Sequence, residues 1–157
     1  MRLLIDSLVA LMLAGVLAGV VVASREDENL ERRVHEASQD LWTIQQEVLV
    51  RAALQREGRV QNPPEIVRES WFGGELPTNS LLDEQRPWVD LATKAERTLQ
   101  HPIDKAALDG TAARFWYNPA NGTVRARVPL QLSDEDTLDL YNRVNGTDLT
   151  RLYGQER

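Results

Sequence analysis

Cysteine is absent from the chain, and histidine occurs only twice. The missing thiols exclude disulfides, thiolate nucleophiles and cysteine zinc sites. His35 has no metal-ligating residue one helical turn on, and His101 has no serine or cysteine nucleophile context, so neither a metal centre nor a triad is indicated. An excess of positive charge is missing as well. There are 18 Lys and Arg against 24 Asp and Glu, a net charge of −6. Arg2 and Asp6 cancel, so the whole excess lies beyond the first apolar segment. No basic face is available for nucleic acid. The Gly73-Gly74 pair is not followed by the Lys and Ser/Thr of a phosphate cradle. The acidic run Asp134, Glu135, Asp136 lacks the alternating ligands and central glycine of a calcium loop. These absences predict a protein that is not an enzyme and holds no cofactor or metal.

What is present begins at the first residues. Leu3, Leu4 and Ile5 lead past Asp6 and Ser7 into an unbroken apolar run from Leu8 to Ala23. About 21 residues at ~1.5 Å each span roughly 30 Å, one bilayer core. A cleaved signal peptide is one reading, with Arg2 at its start and Val21-Val22-Ala23 before the cut. A retained anchor is the other, and it is favoured by the length of the run and by Asp6, which spoils a basic start. Gly15 and Gly19 form a G-x-x-x-G pair, doubled by Ala14 and Ala18, a spacing that lets helix backbones approach closely in lipid. Asp6 is costly in hydrocarbon, on the order of 3 kcal/mol. It either reaches the headgroups or meets a cationic partner.

A second pattern follows without a break. Leu30, Val34, Ala37, Leu41, Ile44 and Val48 recur every three or four residues, with Arg32, Arg33, Glu36, Asp40, Gln45 and Glu47 off the row. The row predicts an amphipathic stem helix over 25–58, with a broader apolar face at Val48–Val50 and Ala52–Leu54 and Gly58 as its C-cap. It suits either a coiled coil with another helix or the chain's own small sheet, and the second use is the expectation.

Beyond Asn62-Pro63-Pro64 the pattern is that of a small head. Glu65 to Ser70 suggests one helical turn, and Trp71 to Asn79 a loop held by buried aromatics. Ala92 to Leu99 looks helical. Two β-rich runs, 113–118 and 123–128, flank a turn that ends in Asn121-Gly122, which predicts an antiparallel hairpin. Val124, Ala126 and Val128 share one face, expected on the stem; Arg125 and Arg127 share the other, expected in solvent with Arg114. Ser133 caps a helix whose first turn is acidic, with Leu138, Tyr141 and Val144 buried and Asn145-Gly146 as its end. Asn121-Gly122-Thr123 and Asn145-Gly146-Thr147 match the glycosylation sequon but read as ordinary turns.

Leu4-Ile5-Asp6, the apolar helix after it, and Gly15 ten residues after Ile5 resemble the N-terminal segment of type IV pilins and type II secretion pseudopilins. Asp6 falls on the family's characteristic glutamate, Arg2 on its mature phenylalanine and Met1 on its processing glycine. Leu76-Pro77-Thr78-Asn79 is similar to a Leu-Pro-x-Asn stretch after the stem helix of such proteins. The resemblance implies a structural subunit of a pilus-like filament or a secretion pseudopilus. It would sit in the inner membrane by a single pass, with the head periplasmic or extracellular. Its partners would be membrane lipid and copies of itself or related subunits. The assembly residues would be Asp6, which pairs with a neighbour's amino terminus, and the Gly15/Gly19 face.

The combined expectation is an α+β protein with a transmembrane segment over 1–24, a stem over 25–58 and a head over 59–157. The head would carry a short antiparallel sheet and a C-terminal helix. The alternative function is a membrane-anchored adaptor that recruits a partner through a coiled coil from Leu30 to Val48.

Overall fold

The computed structural model describes the backbone of residues 2–54 and 62–154 and, in the first helix, side chains from Ser24 onward. The segment expected to span the membrane, with Asp6, Gly15 and Gly19, lies outside the described side chains, as does Gly58. Among the described residues no helix is long and apolar enough to cross a membrane.

The first helix, α1, runs from Arg2 to Leu54. The chain divides into two compact units, Met1–Arg33 and Val34–Arg157. In the first unit the described side chains Ser24 to Arg33 are exposed apart from half-buried Leu30, as their charge requires. In the second, Val34, Ala37, Leu41, Ile44 and Val48 are buried in the predicted row, and Ala52 extends it by a turn. The row packs on the chain's own sheet and C-terminal helix. The broader face expected near its end does not form. Leu49, Val50 and Leu54 are exposed, because each step along a helix turns about 100° and carries them off the buried row.

The sheet has three strands in the order β1 (Val89–Leu91), β2 (Phe115–Asn118) and β3 (Thr123–Ala126). The β2–β3 hairpin is antiparallel, as expected, with Phe115 opposite Ala126 and Asn118 opposite Thr123. β1 joins β2 in parallel, so the sheet is mixed and not purely antiparallel. A strand of three residues is too short to display alternation, and a parallel partner leaves no hairpin turn to read. All four residues of the central strand β2 are buried.

Ala92 to Leu99, which looks helical in sequence, forms turns instead. Glu96 reaches back to the amide and hydroxyl of Thr93, as at a helix start. The carbonyls of Glu96, Arg97 and Leu99 are then taken by the Asn118 amide, at 3.2, 3.0 and 2.9 Å, which ties the segment to the sheet. A 3-10 turn at Glu69–Phe72 falls later than the turn expected at 65–70. Trp71 and Phe72 are half-buried rather than buried. Arg51 of the stem lies over the Trp71 ring at 5.2 Å, and Phe72 meets Trp88 edge-on at 5.5 Å.

The last helix, α2, spans Asp134–Asn145. Ser133 caps it by accepting from the Asp136 amide, and Gly146 ends it in the left-handed region. Its buried row is Thr137, Leu140, Tyr141 and Val144; Leu138, expected in that row, is half-buried.

One turn needs its glycine for two reasons. Gly122 has φ of 73°, and a Cβ there would lie 3.3 Å from the Pro63 ring. The hairpin turn is thereby pressed against Pro63 and Val48 of the stem.

The outer edge of β3 is closed by side chains. The Gln45 amide donates to the Gly122 carbonyl and accepts from the Val124 N–H. The Asn145 amide accepts from the Ala126 N–H and donates to the Ala126 carbonyl. Arg125 itself donates to the Val124 carbonyl. Beyond the strand, the Lys105 carbonyl and the Ala107 N–H take over at Val128. Two amides, one from each helix, thus occupy the places of a fourth strand and protect an edge that would otherwise template pairing.

Candidate functional site

The expected assembly residues Asp6, Gly15 and Gly19 lie outside the described side chains. The described residues offer three further places where function could reside: the arginines of the hairpin, a cleft beside His101, and a groove over the β3 edge.

The arginines do not form the expected solvated face. Arg114 and Arg127 are buried, and Arg125 is half-buried. Arg127 pairs with Asp90 at 2.7 Å and also donates to the carbonyls of Asp104 and Ala113. Strand alternation does place these side chains on the face away from Val124 and Ala126. Sequence could not show that the connection between β1 and β2 folds over that face. Within that connection Pro102, Lys105, Ala106, Ala107 and Ala113 are buried. The Nε of Arg114 and the indole N–H of Trp116 are buried without an acceptor among the described residues.

The cleft, of about 550 Å³, lies between the loop around His101 and the segment after α2. Leu99, Gln100, His101, Ile103, Lys105 and Leu149 are among its walls. Nδ1 of His101 lies 3.0 Å from the Tyr141 hydroxyl and 3.3 Å from Nε of Arg125. The Arg125 Nε–H also meets the Gln100 carbonyl, at 3.1 Å. Burial holds the Tyr141 hydroxyl above the usual tyrosine range and pulls the Arg125 guanidinium below its own. Lys105 is buried and donates to the Leu152 carbonyl. The cluster orders the loop against α2. It contains no serine, threonine or cysteine, and no group of three metal-ligating side chains occurs among the described residues.

The groove, of about 210 Å³, lies between α1 and α2 over β3. Ser38, Trp42 and Gln45 line it from the stem, Val144 and Asn145 from α2, and Arg125 from the strand. Trp42 stands 64% exposed at its rim.

The stretch Leu76 to Asn79, singled out in sequence, joins stem to sheet. The Thr78 N–H donates to the Asp40 carboxylate at 2.9 Å. The Asn79 side chain is buried and donates to the carbonyls of Arg114 and Arg127, while its oxygen accepts from the Leu81 N–H. The amide roles of Gln45, Asn118 and Asn145 carried no comparable sequence signal, since an isolated Asn or Gln reads as a turn or surface residue.

Partial burial raises the Asp40 carboxyl above the ordinary range, against the lowering effect of the Thr78 donors. A raised carboxylate contributes stability below its unfolded pKa of ~3.9, and that contribution is lost as pH rises through the folded value. Ionised Asp40 therefore carries a small cost at neutral pH. Asp40→Asn keeps an acceptor for the Thr78 N–H and removes the charge. It is expected to raise Tm slightly at pH 7, with the gain vanishing below about pH 4. Thermal unfolding of both forms across that range checks it.

Comparison with protein-family models, with curated proteins and with solved structures gave no match.

Proposed function

We propose that this chain is a structural subunit of a type IV pilus-like filament or a type II secretion pseudopilus, assembling through its N-terminal helix. In this reading residues 3–23 anchor it in the inner membrane, and the head stands on the periplasmic or extracellular side. The Gly15/Gly19 face packs against neighbouring helices, and Asp6 neutralises a neighbour's positive terminus. The resemblance at Leu4-Ile5-Asp6 and Gly15 is the basis for the family.

The observation that carries the choice between the two readings is the fate of the heptad row. Val34, Ala37, Leu41, Ile44 and Val48 are buried within their own chain. The adaptor reading needs those side chains free to pair with another helix. The filament reading needs only a stem that supports its head and leaves the apolar segment to meet its neighbours.

Disulfide crosslinking tests the proposal, because the chain has no cysteine of its own. With Gly15→Cys in membranes, oxidation is expected to join copies of the chain. Asp6→Ala should lower the yield at least tenfold, and Asp6→Glu should retain it. Absence of crosslinks at Gly15, or full yield with Asp6→Ala, overturns the proposal.

A further inference from the structure

We propose that the head docks end to end on a second copy of itself, with Leu132 of one copy seated in the Trp42 groove of the next. Leu132 is wholly exposed, and Leu130 beside it is about half exposed. Leu132 precedes the cap Ser133, a position from which an apolar side chain commonly folds back on the fourth residue of its helix. That residue is Thr137, which is buried and has its hydroxyl engaged with the Ser133 carbonyl and the Gln131 N–H. It offers no apolar partner, so Leu132 projects into solvent.

The groove lies at the other end of the same helix. Val144, Asn145 and Gly146 line it from the C-terminal turn of α2. A helix of 12 residues separates the two ends by roughly 18 Å. Its apolar walls include Leu41, Trp42 and Val144, and its volume of about 210 Å³ leaves room for a leucine side chain.

Charge matches knob to groove. Leu132 is followed by the exposed acids Asp134 and Glu135. The groove carries Arg125, half-buried and without an ion pair to any carboxylate among the described residues. Arg125 already donates to the Gln100 and Val124 carbonyls and to His101, but none of these balances its charge; a carboxylate does, and docking Leu132 brings two of them to that wall. The choice of a like copy, over another protein, rests on the assembly reading above. It is supported by the presence of both halves on one chain. With copies stacked in one direction along this helix the contact is heterologous and propagates from one copy to the next; a reciprocal antiparallel pair would close as a dimer and give no ladder.

The test uses the full chain in membranes with Ser38→Cys at the groove and Leu130→Cys beside the knob, which leaves Leu132, Asp134, Glu135 and Trp42 in place. Oxidation of the double variant is expected to give a ladder of dimers, trimers and longer species. Neither single variant should crosslink. Leu132→Glu, at a fully exposed position where the fold is not at risk, should cut the ladder at least tenfold. The contact is overturned if the double variant gives no ladder, if either single variant crosslinks as well as the double, or if Leu132→Glu changes nothing. Crosslinking at Gly15 separates the two proposals. Gly15 crosslinks without the ladder reject the head contact alone, and the ladder without Gly15 crosslinks rejects the helix assembly alone.

Discussion

Replacing Asn118 with leucine is expected to cost on the order of 3 kcal/mol of folding stability, because several polar groups lose their partner at once. The side chain is fully buried. Its amide donates to the carbonyls of Glu96, Arg97 and Leu99, and its oxygen accepts from the Ala120 N–H. One side chain thus organises both the crossing segment before β2 and the turn after it. Leucine matches it in size and supplies none of these bonds. Asn121 is the control. It is exposed and also reaches the Leu99 carbonyl and the Thr123 N–H. Water replaces those bonds, so Asn121→Ala should cost about 1 kcal/mol or less. Urea unfolding of the two variants measures the contrast. A loss for Asn118→Leu no larger than that of Asn121→Ala would show that the side-chain bonds of Asn118 contribute little.

The β3 edge gives the second large effect. Gln45→Ala and Asn145→Ala each strip the edge of two hydrogen bonds. Each is expected to cost roughly 2 kcal/mol. The two amides serve strand residues two apart and line one groove, so the double variant should lose about 4 kcal/mol only if they act independently, and the departure from that sum measures their coupling. The double variant should also expose the row of backbone groups that sheets normally hide, and self-associate on warming. Denaturant unfolding gives the first quantity, and light scattering during a thermal ramp gives the second. If the double variant unfolds at lower denaturant but scatters no more than the parent, the amides stabilise the edge without guarding it.

How much of this was legible in sequence depended on range. The stem row from Val34 to Val48, the hairpin around Asn121-Gly122 and the Ser133-capped helix all appear where local pattern places them. Each is a signal carried by neighbours a few residues apart. The readings that failed involve partners far along the chain. β1 finds β2 across an irregular connection, so its parallel pairing had no turn to announce it. The stretch from Ala92 has helical composition, yet its carbonyls are claimed by Asn118. Arg114 and Arg127 sit on the face that alternation assigns them, but that face is covered.

The sequence by itself therefore determined the elements. Periodicity along 25–54 makes a helix with one apolar side, and turn chemistry makes a hairpin, because these are short-range consequences of backbone geometry. Only the tertiary structure decided what each face and edge meets. A buried N–H or carbonyl must be satisfied by something, but many side chains are able to do it. Here Gln45, Asn79 and Asn145 are brought to the sheet by distant segments of chain, and Asn118, within the sheet, meets one in turn. Only Asn79 lies in a stretch that sequence singles out; no pattern around the other three distinguishes them from asparagines and glutamines at the surface.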